Sequence, residues 1–252
     1  LAHSTGWLAR ILPLPFAPEC GCPVSFPDDY VQEKVPEDIQ SYVIPLTDDL
    51  KNSFGQLDEG TLIIYGAFAG ARPALENLAK MKSGDVVLAT HVPAKHRGLE
   101  DMHAWYDTRL RKWFEHNVEA IDNGVNIRRI FILRRDDLIE PGQSCIKDAR
   151  SVEIMQMHED AGIEVYLTWL EDIERQRDVE DSILFGNRLV QVNQSAWDKQ
   201  GHNEILVSVN SRIISGYRRR WNQWQAAGRT LSEVLQLYSE PESQAIRYCV
   251  ED

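Results

Sequence analysis

Three apolar runs of strand length recur along the middle of the chain, DVVLATHV at Asp85 to Val92, VNIRRIFIL at Val125 to Leu133 and IEVYLTW at Ile163 to Trp169. Between the first two, Leu110, Trp113, Phe114, Val118 and Ile121 recur at helical spacing, and Gly124 follows where a left-handed cap would end that helix. Between the second and third, Val152, Ile154 and Met155 sit in a polar segment closed by Gly162. Elements with one apolar face must bury it against another layer, so this alternation constrains the chain to an α/β arrangement.

The pattern then changes character. An acidic stretch, Glu171 to Asp181, leads to Ile183-Leu184-Phe185 and Leu189-Val190-Gln191-Val192, which flank Gly186-Asn187 as a tight hairpin. A further run, EILVSV at Glu204 to Val209, precedes a helix that Asn210 or Ser211 caps; it carries Ile213, Ile214, Tyr217, Trp221 and Trp224 and stops at Gly228. The expected fold is therefore a mixed β-sheet sandwiched by helices over 84–237, with a tail at 238–252. Ahead of it, 52–83 supplies a short strand around Leu62 to Tyr65 and a helix from about Arg72 to Lys82. Residues 1–51 read as an irregular arm with one short helix around Asp28 to Tyr42, because seven prolines, from Pro13 to Pro45, interrupt every apolar run. Its Trp7, Leu12, Phe16 and Phe26 suit packing on the body or on a partner.

Composition removes several functional classes. With 27 Lys and Arg against 39 Asp and Glu the net charge is −12, which argues against bulk nucleic-acid binding and against a polybasic membrane anchor. No run approaches the roughly 20 apolar residues of a membrane-spanning helix, and the proline-broken start is a poor secretory signal. Cys20, Cys22, Cys145 and Cys249 form neither a zinc pattern nor an evident staple, and read as reduced thiols of a cytoplasmic protein. No motif calls for a cofactor.

Several phrases resemble the phospholipase D-like superfamily: AIDNGVNIRRIFIL (Ala120 to Leu133), AGIEVYL (Ala161 to Leu167), DSILFGNRLVQV (Asp181 to Val192) and SVNSRIISGYRRRWNQW (Ser208 to Trp224). The resemblance implies an α/β half-domain whose catalytic members carry H-x-K-x(4)-D and pair two halves, so a homodimer is open to this chain. If the hairpin strand occupies the motif's place, the histidine position falls on Val179, the lysine on Asp181 and the aspartate on Gly186, while the following Gly-Ser falls on Asn193-Gln194. The resemblance thus implies a degenerate member without nucleophile or phosphate clamp.

What remains is a set of candidate binding groups. His91 closes the first strand, Arg134 and Arg135 follow the second, and Asn210 and Arg212 open the last helix; strand ends of open α/β sheets hold ligands, so these five are the expected binding residues. His91, His96 and His103 match no metal-ligand spacing. Arg128, Arg129 and the Arg218 to Arg220 run are expected to pair with the acidic stretch or to face solvent, and Trp221 and Trp224 to lie in the core. The reading is a non-catalytic module that binds a ligand or partner in a sensory or regulatory role, the partner being an anionic small molecule or a protein. The rival readings are a phosphodiesterase or nuclease with a non-standard His/Arg site and a structural subunit of a larger assembly.

Overall fold

The structure is a computed structural model, and it describes residues 60–65, 71–93, 98–106, 108–143, 145–194, 204–239 and 246–249, all within the unit Ser53–Asp252. The arm expected at 1–51 lies outside the described residues, as does His96.

Strands β1 (Thr61–Tyr65), β2 (Val86–His91), β3 (Asn126–Leu133), β4 (Glu164–Trp169), β5 (Asp181–Phe185), β6 (Leu189–Gln194), β7 (Glu204–Ser208) and β8 (Arg229–Thr230) form one sheet in the order β1-β7-β6-β5-β2-β3-β4-β8. The helices are α1 (Ala71–Leu78), α2 (Leu99–His103), α3 (Thr108–Asp122), α4 (Arg135–Leu138), α5 (Ala149–Asp160), α6 (Ser211–Ala227) and α7 (Leu231–Leu237). β2, β3 and β4 are parallel, joined through helical crossovers; β5, β6, β7 and β1 continue antiparallel from β2. The sheet is mixed, as the sequence pattern implies.

The alternation of the strand residues sorts the core into two layers. Val87, Ile127, Phe131, Leu133, Val165, Leu167 and Phe185 face α1, α3, α5 and α7. Leu88, Ile130, Ile132, Leu184, Val190 and Val192 face the other way, onto Ile214, Tyr217, Trp221 and Trp224 of α6. Trp221 also donates its indole N–H to the carbonyl of Ala89 at 3.1 Å. Both tryptophans are core residues, as expected.

Glycines end the helices where the sequence places them: Gly124 and Gly162 have φ of 84° and 86°, the left-handed region that L side chains avoid. Gly228 is held for a different reason. A Cβ there would stand 2.3 Å from Thr168 Oγ1, so the end of α6 can approach β4 only because position 228 has no side chain.

Four details refine or correct the sequence reading, the second by deciding between the two caps it offered. α1 ends at Leu78 rather than Lys82. The cap of α6 is Asn210, whose side chain accepts the Arg212 N–H at 2.9 Å. The chain past Gly228 adds edge strand β8 and helix α7, the latter closed by a reciprocal Thr230–Glu233 capping box. The fourth concerns the cysteines, which are not all free thiols: Cys145 and Cys249 form a disulfide with their Cα atoms 5.2 Å apart. Their separation of 104 residues hides the pair from any reading of local spacing. The cysteines therefore give no argument for a reducing compartment.

Candidate functional site

The five expected binding residues do not converge. His91 ends β2, beside the start of β5, where the Val92 N–H donates to Asp181 Oδ1 at 2.6 Å. Leu88 is level with Leu184, Leu184 with Val190, and Val190 with Ser208. His91 is three residues beyond Leu88 in one direction, and Asn210 is two residues beyond Ser208 in the other. At about 3.3 Å per residue the two are roughly 17 Å apart along the strands. Asn210 and Arg212 are thus at the opposite end of the sheet from His91, Arg134 and Arg135. The sheet's alternating strand directions, which the sequence does not order, are the cause.

At the His91 end the helical layer encloses an unusual polar cluster. Arg129 of β3 is 1% exposed; its guanidinium lies over the Trp105 ring, 4.6 Å from the centroid, and donates from Nη2 to Asn117 Oδ1 at 3.2 Å. Burial pulls it down to about 9, partly opposed by the charge of Asp181, so it stays cationic at neutral pH. His158 of α5 packs edge-on against Trp105, Phe131 and Phe114, with ring centroids 4.5, 5.3 and 5.0 Å away. Its Nδ1 is 2.7 Å from the Ile154 carbonyl and so carries the proton, donating it. Burial first, and then the Arg129 charge, hold His158 well below the ordinary histidine range. His91 lies edge-on to Trp105 and Phe131. This cluster lies within the helical layer, with Trp105, Arg129 and His158 buried and His91 half-buried.

His103 is turned to a different partner, the Asp148 carboxylate at 3.0 Å, which also caps α5. Among the described residues no group of three His, Cys, Asp or Glu side chains is arranged to hold a metal ion.

The first strand of the hairpin, β5, lies next to β2. Val179 is 0% exposed and packed in the α6 layer. Asp181 is engaged by the Val92 N–H, and Gly186 forms the turn with φ of 59°. Just beside them, Thr90 Oγ1 accepts the Ser182 N–H at 2.8 Å and donates to the Glu180 carbonyl at 2.9 Å. On the same face, Glu180 accepts the Tyr217 hydroxyl of α6 at 2.9 Å.

A small pocket of about 90 Å³ opens at the β4 edge. Arg135, Trp169, Asp172, Arg229, Leu237 and Tyr238 line it. Arg135 stands over the Trp169 ring at 5.3 Å and pairs with Asp172 at 3.2 Å, while its backbone N–H donates to Glu171. The volume is far below the roughly 300 Å³ of a drug-sized ligand site, and matches a single charged group. Arg229 comes from β8 and Tyr238 is the C-cap of α7, elements that the sequence reading did not resolve; the Thr230-x-x-Glu233 capping box is the signal that could have placed them. The expected pairing of basic with acidic stretches is seen in Arg135–Asp172, in Arg128–Glu164 at 2.7 Å and in Arg220–Glu180 at 3.9 Å.

No family model and no curated protein matches the sequence. Among solved structures the chain is similar to Nuc, a phospholipase D family member from Salmonella typhimurium, with 14% identity and a TM-score of 0.43 over 68% of this chain and 96% of that one. It is also similar to NucT from Helicobacter pylori, with 8% identity and a TM-score of 0.44 over 68% and 98%. A third is TrmBL2, an archaeal chromatin protein that binds DNA, with 11% identity and a TM-score of 0.43 over 79% and 66%. No described helix is long and apolar enough to cross a membrane.

Proposed function

We propose that this chain is a non-catalytic binding module on a phospholipase D-like scaffold, serving a sensory or regulatory role by holding an anionic small molecule or a protein partner. One observation carries the reading: where the resembled family would place its nucleophilic histidine and clamping lysine, this chain has Val179, sealed in the core, and Asp181, tied to the Val92 N–H. A buried isopropyl group cannot attack phosphorus, and a carboxylate repels the phosphoryl oxygens that a lysine would hold. The pocket at Arg135 and Arg229 is the place for an anionic group. There a guanidinium can exchange its exposed Asp172 partner for a ligand oxygen while Trp169 supports it.

The test is a thermal-shift screen against nucleotides, sugar phosphates, phospholipid head groups, short single-stranded DNA and divalent metals, run beside hydrolysis of a generic phosphodiester. A ligand at 100 times its dissociation constant adds about 2.7 kcal/mol, which raises the midpoint of a domain this size by about 5 to 10 °C. A shift with one anionic class, lost in Arg135→Gln, supports the reading. Phosphodiester turnover abolished by His91→Ala overturns it in favour of an enzyme with a non-standard site.

A further inference from the structure

We infer that residues 246–249 form a redox-released strap, which the Cys145–Cys249 disulfide holds closed and a dithiol reductant opens without unfolding the domain. The strap runs between two parts of the body. Ile146 N–H donates to the Arg247 carbonyl at 2.9 Å, and Cys249 N–H donates to the Ile146 carbonyl at 2.9 Å. On the other side Arg247 N–H donates to the Tyr238 carbonyl at 2.7 Å, next to an isolated bridge between Ser239 and Ile246.

Among the described residues these three hydrogen bonds and the partly buried Ile246 are a slender hold, since Arg247 and Tyr248 are exposed. Segments with few apolar contacts and exposed backbone bonds open at low cost compared with the core. The covalent link is therefore the dominant restraint on the strap, whereas the eight-stranded sheet is closed by its own ladders and both core layers without it. The two sulfurs also differ in access: Cys145 is buried and Cys249 partly exposed.

An incoming thiolate meets the Cys249 sulfur first. It forms a mixed disulfide there, breaks the Cys145–Cys249 bond and releases Cys145 as a thiolate that takes up a proton. The reductant's second thiol then displaces Cys249 as a thiol. The chain gains two electrons and two protons, and the dithiol becomes a disulfide. Tyr238, whose carbonyl anchors the strap, also lines the small pocket, so opening removes one backbone restraint on a lining residue; this consequence for binding rests on the function proposed above.

Amide hydrogen exchange of the full chain, oxidised and dithiothreitol-reduced, tests the strap with no ligand present, so its outcome is separable from that of the binding screen. Thiol counting by mass confirms each state. The expected result is loss of protection at Ile146, Arg247 and Cys249 on reduction, unchanged protection in β2 to β4, and the same pattern in Cys249→Ser. Three results overturn the inference: protection at the strap unchanged after full reduction, exchange spreading to β2 to β4, or no Cys145–Cys249 link in the air-oxidised protein.

Discussion

The Arg129 guanidinium sits 4.6 Å above the Trp105 ring centre, in a layer where both side chains are enclosed and the one hydrogen bond that Arg129 makes is to Asn117 among the described residues. A buried charge held by a neutral amide is costly to desolvate, and breaking its last partnership costs more than removing the charge itself. Arg129→Met should therefore stay within about 1 kcal/mol of wild type or exceed it. Asn117→Ala, which strands the cation, should lose about 1 to 3 kcal/mol. Urea unfolding of both variants decides the matter, and a larger loss for Arg129→Met than for Asn117→Ala would be the wrong order.

His158 makes stability depend on pH in one direction. Its folded-state value lies well below the 6.5 of a free histidine, so above that value both states are neutral and the contribution is constant. As pH falls below 6.5 the unfolded chain binds a proton that the folded chain refuses. Stability then declines, by up to about 1.4 kcal/mol per pH unit for this one group, until the folded-state value is reached. The difference between wild type and His158→Gln, measured from pH 8 to pH 5, should be flat above 6.5 and slope below it. Parallel curves throughout would show that His158 does not titrate on unfolding.

Thr90 ties β2 to the start of β5 through one hydroxyl that both accepts and donates. Thr90→Val keeps the shape and leaves the buried Ser182 N–H without its acceptor, at a cost of about 1 to 3 kcal/mol. Thr90→Ser should recover most of this, as read by thermal or urea unfolding of the pair.

Restoring the histidine and the lysine, two of the three motif residues, should not restore chemistry. In Val179→His the imidazole enters an apolar layer against α6, costing about 2 kcal/mol or more. With Asp181→Lys added, the Val92 N–H loses its carboxylate as well. The double variant should be less stable and show no phosphodiester hydrolysis; measurable turnover would mean that the site is dormant rather than dismantled.

The sequence exposes those parts of the fold that have a period or a punctuation mark. β2, β3, β4 and the β5–β6 hairpin are visible because their apolar residues alternate or run together, and α3, α5 and α6 because glycines close them. The binding residues are less legible. His91, Arg134 and Arg135 share a sheet end, but Asn210 and Arg212 are placed by the direction of β7, which is set by three successive antiparallel pairings and leaves no trace in local pattern. Arg129 is invisible for another reason. It looks like its neighbour Arg128, which pairs with Glu164 and is partly exposed, and only the strand's two-residue period combined with a helix docked above turns it inward. The Cys145–Cys249 bond is a purely tertiary fact.

Edge strand β1 pairs with β7, with Thr61 opposite Ser208 and their hydroxyls 2.8 Å apart across 147 residues of chain. Such a pairing closes one of the longest loops in the molecule, and loop closure is an entropic cost met before any contact rewards it. Among the described residues the first strand has β7 as its one strand partner. On a folding path this makes β1 a late arrival, and a chain halted before Glu204 would leave it without that partner.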